Sequence, residues 1–179
     1  MEIQDYIKKI QYLKESLPKR LNETVYPEIA ESITNEYKNR IFTKGLDSDE
    51  SKIGEYSEKP MNATKEQFVK KAAFTSTSKS GKTMKLKSGY KELKQVQGLK
   101  NESVNLVYSG DLRKSIQSNV DANGFVIGFT DKENADKAQK LEDKYGKAIF
   151  KLSDNEVLKM KQRVVTALKK IHKSIFYAD

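Results

Sequence analysis

The stretch 104–129 constrains the fold more than any other part of this sequence. Val104-Asn105-Leu106-Val107-Tyr108 is rich in branched and aromatic side chains, which predicts a strand. Ser109-Gly110-Asp111 reads as a turn, and Leu112 to Ser115 as about one turn of helix. Ile116, Ser118 and Val120 share one face of a following strand, with Gln117 and Asn119 on the other. Asp121-Ala122-Asn123-Gly124 then predicts a hairpin in which the Asn-Gly pair accepts positive φ. Phe125, Ile127 and Phe129 return on one face of the last strand, and Gly128 interrupts the other. The remaining elements must pack on this antiparallel sheet or hang from it.

Helical spacing dominates both ends. Ile3, Ile7, Ile10, Leu13 and Leu17 form an amphipathic stripe, and Pro18 is expected to end that helix or start the next. Such a terminal stripe packs on its own chain or docks as an arm on a neighbouring subunit. Leu21, Val25, Ile29, Ile33, Tyr37 and Ile41 predict a longer helix facing the sheet, kinked or restarted near Pro27 and capped by Gly45. Ala135, Ala138, Leu141 and Tyr145 predict another, closed by Gly146, and Ile149-Phe150-Lys151-Leu152 a short extra strand. Ser153-Asp154-Asn155-Glu156 is a capping-box signature opening a C-terminal helix over 153–179, with Val157, Met160, Val164, Leu168, Ile171 and Ile175 as its stripe.

Residues 45–103 show no sustained periodicity. They read as a long, polar and flexible insertion that orders on binding, with short helices expected within Lys65 to Phe74 and from Gly89. The net charge of +9 concentrates there. Residues 65–100 hold 10 basic and 2 acidic side chains, against 10 and 12 before them and 14 and 11 after. Lys79, Lys82, Lys85, Lys87, Lys91 and Lys94, interleaved with Tyr90, suit a phosphate-contacting loop, and equally a solvated or subunit-facing one.

Catalysis finds little to work with. There is no Cys, and His172 is the only histidine, on the terminal helix and read as structural. No His pair or carboxylate cluster has metal-ligand spacing, so neither metal, cofactor nor catalytic residue is assigned. Ser80-Gly81-Lys82-Thr83 resembles the end of a phosphate-binding loop, but Ser76 stands where that motif needs Gly. No apolar run reaches the ~20 residues of a membrane span, and Met1-Glu2-Ile3-Gln4-Asp5 does not open a signal peptide. The expectation is one soluble, intracellular domain over 1–179 that is not an enzyme.

The order of these pieces resembles the virion-morphogenesis, or tail-completion (neck), proteins of long-tailed bacteriophages. That family carries a Thr/Ser-Gly-x-Leu-x-x-Ser-Ile motif, similar to Ser109-Gly110-Asp111-Leu112-Arg113-Lys114-Ser115-Ile116. Ile53-Gly54-Glu55-Tyr56-Ser57 is similar to its upstream element, with Tyr where Trp is common. Phe125-Val126-Ile127-Gly128, the helix closing at Tyr145-Gly146, and Ile149-Phe150-Lys151-Leu152-Ser153 stand in its downstream places. Gly146-Lys147-Ala148 replaces the usual Pro and Arg ahead of the Phe.

The resemblance implies an α+β subunit: an antiparallel sheet against a long helix, amphipathic terminal helices and a long polar insertion. It further implies a homo-oligomeric ring in the virion neck, assembled in the host cytoplasm. There the ring would join other neck, connector and tail proteins, with genomic DNA passing through it and no membrane involved. Gly110, Leu112, Arg113, Ser115, Tyr145 and Phe150 are then the expected motif or interface residues, and Lys79, Lys82, Lys85 and Lys87 the candidate phosphate contacts. The competing reading is a small basic nucleic-acid-binding module.

Overall fold

The computed structural model describes residues 3–177, so Ala178 and Asp179 of the expected terminal helix lie outside it. The fold is α+β, with six α-helices and two separate two-stranded antiparallel sheets among the described residues. The chain forms two compact units, each assembled from separated segments. Residues 1–38, 116–130 and 152–179 make the first, and residues 39–115 and 131–151 the second.

In the first unit, helix α1 runs from Ile3 to Arg20 with Pro18 inside it. The helix does not end at Pro18, whereas the restart expected near Pro27 falls at Tyr26. Helical backbone continues through a wide π turn at Leu21–Val25 into α2, Tyr26–Asn39. Pro27, which has no N–H to give to the preceding turn, stands just after this wide turn. Strand β3 (Ile116–Asp121) pairs antiparallel with β4 (Gly124–Phe129) as the expected hairpin, Ile116 opposite Phe129 and Asp121 opposite Gly124. The turn chemistry differs from expectation. Ala122 and Asn123 occupy the corner, the Asp121 carboxylate accepts from the Asn123 N–H, and only Gly124 takes positive φ, at 141°.

Helix α6 spans Asp154–Phe176. Ser153 and Glu156 close its capping box as expected, each accepting the other's backbone N–H. Val25, Ile29 and Ile33 bury their stripe against Phe125 and Ile127 of the hairpin and Met160, Val164, Ala167 and Ile171 of α6. This is the sheet-against-helix core anticipated from the spacing. Glu36 straps α2 to α6, accepting from Lys159 at 2.9 Å and from Arg163.

The second unit overturns the reading of 45–103 as an insertion without firm structure. A π turn over Arg40–Lys44 ends at Gly45, whose φ of 70° is the predicted left-handed cap. A Cβ there would stand 2.3 Å from the Val104 carbonyl oxygen, so only glycine fits. Strands β1 (Met61–Thr64) and β2 (Thr83–Leu86) then pair antiparallel, and α3 follows over Gly89–Val96. Ala63, Phe68, Leu86 and Leu93 form a fully buried cluster, flanked by Met61, Phe74, Met84, Tyr90 and Tyr108. In place of a helix, Lys65 to Phe74 makes two short 3-10 turns that fold Phe68 inward against Phe74.

Two expected strands are absent. Val104 to Tyr108 runs as irregular chain, because Leu106 takes φ 51° and the polar groups around it serve side chains instead of a ladder. At 149–152, the N–H groups of Ile149 and Phe150 both donate to the Glu142 carboxylate, at 2.6 and 2.8 Å. The buried Arg40 guanidinium takes the Ile149 and Lys151 carbonyls, the latter at 2.7 Å. Side-chain capping thereby replaces strand pairing. Helix α4 covers Asp111–Ser115, and α5 covers Lys132–Tyr145 and ends at Gly146.

Candidate functional site

Lys79, Lys82, Lys85 and Lys87 are displayed by a hairpin tip built from hydroxyl side chains. Ser76 Oγ donates to the Thr83 carbonyl, Ser78 Oγ accepts from the Thr83 N–H, and Thr77 Oγ1 accepts from the Lys85 N–H at 2.7 Å. The Thr77 and Ser78 N–H groups also reach the Thr83 carbonyl, and Gly81 N–H closes the turn onto Ser78. The Ser/Thr run that looks low in complexity is therefore the internal bonding of the tip. Lys79 and Lys82 project from the turn, while Lys85 and Lys87 flank the buried Leu86. All four ammonium groups are exposed, and no described carboxylate pairs with them.

The rest of the basic run does something else. Lys91 pairs with Glu58 at 2.5 Å. Tyr90 points inward, its ring 5.5 Å from that of Tyr56 and 5.9 Å from that of Tyr108. Lys94 is 1% exposed. Its ammonium donates to Tyr56 Oη at 2.6 Å, Asn105 Oδ1 at 2.9 Å and the Val107 carbonyl at 3.0 Å, and lies 4.4 Å from the Tyr56 ring centre. All three of its N–H bonds are used. No carboxylate joins this group among its hydrogen-bond partners, and burial pulls the Lys94 pKa down to about 8.

Around it, Tyr56 Oη donates to Asn105 Oδ1 and accepts from the Asn105 N–H. Gln97 ties the Leu93 carbonyl to Tyr108 Oη. Burial raises the pKa of both Tyr56 and Tyr90, so both phenols stay protonated and Tyr56 keeps donating to Asn105. This clasp was missed in the sequence, where Lys94 looks like one more surface lysine. One signal was available: Tyr90, Leu93, Lys94 and Gln97 share the inward face at helical spacing.

The six motif residues do not converge on a single site. Gly110 precedes α4 with φ 91°. Leu112 is half-buried, Arg113 exposed, and Ser115 buried with its hydroxyl donating to the Leu112 carbonyl. Tyr145, at the end of α5, lies against Gly54, where an added Cβ would come within 3.1 Å of the ring. Phe150 packs on Phe42 with ring centres 6.5 Å apart. Ser115, Tyr145 and Phe150 thus make their contacts within their own unit.

The first unit leaves apolar surface uncovered. No residue of α1 is buried. Ile3 is 80% exposed, and Tyr6, Ile7 and Ile10 about half exposed, although Tyr6 touches the Phe176 ring at 5.4 Å. On α6, Leu158, Val165 and Leu168 also face solvent, and His172 stacks on Phe176. Between α2 and α6 lies an open cleft of about 660 Å³, with Val25, Ile29, Ala167 and Ile171 as its floor and Glu28, Arg163 and Lys170 along its walls. Among the described residues no cluster of His, Asp or Glu could hold a metal, and no helix is long and apolar enough to cross a membrane.

Comparison with protein families, characterised proteins and solved structures finds no match. The geometry of these surfaces therefore carries the functional argument.

Proposed function

We propose that this chain is a structural subunit that assembles with copies of itself into a ring, as in the neck or tail-completion layer of long-tailed phages. Joining the head connector to the tail would then be its work, in the virion, with function residing in shape and interfaces. One observation supports the assembly above the others. Helix α1 presents Ile3, Ile7 and Ile10 on one face, at i, i+4 and i+7, and its own chain buries none of them. Apolar surface left in water on a regular helical face marks a surface that a partner covers. The exposed Leu158, Val165 and Leu168 of α6 extend the same character within the unit.

The order of motifs around Ser109 to Ile116 supports the choice of family. In a ring of identical subunits the contacts are head-to-tail, so a stripe on one subunit meets a different surface on the next. Native mass spectrometry and negative-stain microscopy test this. The wild-type chain is expected to form closed oligomers. The variant carrying Ile7→Glu and Ile10→Glu is expected to remain monomeric with an unchanged melting temperature, because neither residue supports the core. A wild-type chain that stays monomeric at the highest soluble concentration overturns the reading.

A further inference from the structure

Assembly through α1 and α6 leaves the lysine hairpin of the second unit without a task. We propose that this hairpin is a contact surface for the phosphate backbone of duplex DNA.

The tip lacks the apolar centre of a protein interface. Protein interfaces have an apolar, charge-depleted centre with charges kept to the rim. Here Phe68, Phe74 and Leu86 turn inward, and residues 78–87 expose lysines without an apolar centre. The nearby exposed apolar side chains are single valines, Val69 and Val96. Charge is thus the means of recognition, and the complement is a polyanion.

The placement of the aromatic rings narrows the polyanion to a duplex. Single-stranded nucleic acid is held by bases stacked on exposed aromatic rings. The rings of this unit are committed inward, Tyr90 between Tyr56 and Tyr108, and Phe68 on Phe74. Duplex DNA asks for no such platform and offers the denser line of charge. Asn and Gln, which read adenine, and the forked guanidinium of Arg are absent from residues 78–87, which leaves lysine point charges of the kind that serve phosphates. The contact therefore positions the protein on DNA without selecting a sequence.

The tip is also internally ordered. The Ser76, Thr77 and Ser78 hydroxyls and the Thr77, Ser78, Gly81, Thr83 and Lys85 N–H groups bond within the tip, so the lysine stems leave a fixed base. Lysine heads are mobile point charges without a forked geometry, which suits a contact that slides.

Fluorescence anisotropy with a short, labelled, mixed-sequence duplex, titrated at several salt concentrations, tests the proposal. Each phosphate contact contributes about −0.9 to the slope of log affinity against log salt, so four lysines contribute up to about −3.6. That corresponds to roughly a hundredfold loss of affinity between about 50 and 200 mM salt. Replacing Lys79, Lys82, Lys85 and Lys87 together by Gln is expected to flatten the slope by about three to four units, while the melting temperature holds. Lys79→Gln and Lys82→Gln alone are each expected to remove about one unit, which keeps the test open should the quadruple variant fold poorly. The Lys→Arg quadruple variant should retain binding. No duplex binding at low salt, or an unchanged slope in the Gln variants, overturns the proposal. Tighter binding of single strands, or displacement of duplex by polyglutamate at equal charge, overturns it as well, the latter in favour of an acidic protein partner.

Discussion

Replacing Lys94 by Met gives a test whose sign is set by the structure. The ammonium is 1% exposed and holds three acceptors, yet burial brings its pKa down from 10.5 to about 8. A base with a depressed folded pKa costs stability while the folded form must carry the charge. That cost is fully present below pH 8 and is relieved as pH rises toward the unfolded value of 10.5. Over that window the unfolded chain binds one proton more than the folded chain, so this group makes stability rise with pH by up to about 1.36 kcal/mol per unit. Between about pH 7 and 9.5 the integrated gain is roughly 2 kcal/mol, and the Met variant lacks it.

Met matches the stem but leaves the Val107 carbonyl unpartnered, so the variant should be less stable by about 2 kcal/mol at pH 7. The deficit is then expected to widen to about 4 kcal/mol at pH 9.5. Burial raises the Tyr56 and Tyr90 pKa values, and their ionisation in the unfolded chain works in the opposite direction above about pH 10. The difference between wild type and variant cancels that effect. Urea unfolding at matched pH values, followed by far-ultraviolet circular dichroism, supplies the numbers. A deficit that stays flat from pH 7 to 9.5 would refute the buried, depressed ammonium.

Gly89→Ala is expected to cost at least about 3 kcal/mol, because φ is 55° and the new methyl would stand 2.2 Å from the Lys59 carbonyl oxygen. Gly124→Val, at φ 141° with open space around it, should cost only about 1–2 kcal/mol; equal losses in thermal melts would contradict this contrast. Glu36 sits partly buried, which raises its pKa, but hydrogen bonds from Arg163 and Lys159 outweigh that and lower it. Its contribution is present above the unfolded value of 4.5 and lost as pH falls through the folded one, so Glu36→Gln should cost about 1 kcal/mol at pH 7 and nothing in acid. Limited trypsin digestion is expected to nick the tip at Lys79 or Lys82 first and to spare Lys94, whereas rapid cleavage throughout 45–103 would show that the second core does not hold.

Local rules explain which parts were legible beforehand. The Ser153–Glu156 box, the Gly45 and Gly146 caps and the alternation of Phe125 and Ile127 are each specified within a few neighbouring residues. The second unit has no such signature. Ala63, Phe68, Leu86 and Leu93 meet across a long chain separation, and β1 and β2 are too short to alternate visibly. Val104 to Tyr108 has strand composition, but Asn105 Oδ1 accepts from Lys94, Tyr56 and the Val107 N–H at once. That knot bends the chain out of a ladder, and nothing within 104–108 announces it. The candidate surfaces split in the same way. The four exposed lysines were readable as charge, while the order beneath them depends on hydroxyls that look like linker composition.

The interleaving of the two units has a consequence for synthesis on the ribosome. Val25, Ile29 and Ile33 leave the exit tunnel early, but Met160, Val164, Ala167 and Ile171, which cover them, follow only near the end of translation. At ~5–20 residues per second, the delay of roughly 140 residues lasts on the order of 7 to 30 s. Throughout that interval the nascent chain carries an uncovered isoleucine and valine stripe. Much of the second unit can fold meanwhile, since 39–115 precede the hairpin, though it still waits for 131–151. Such a chain is expected to engage a holding chaperone early and to release it only when α6 arrives, so truncations within the last helix should aggregate even though most of the sequence is intact.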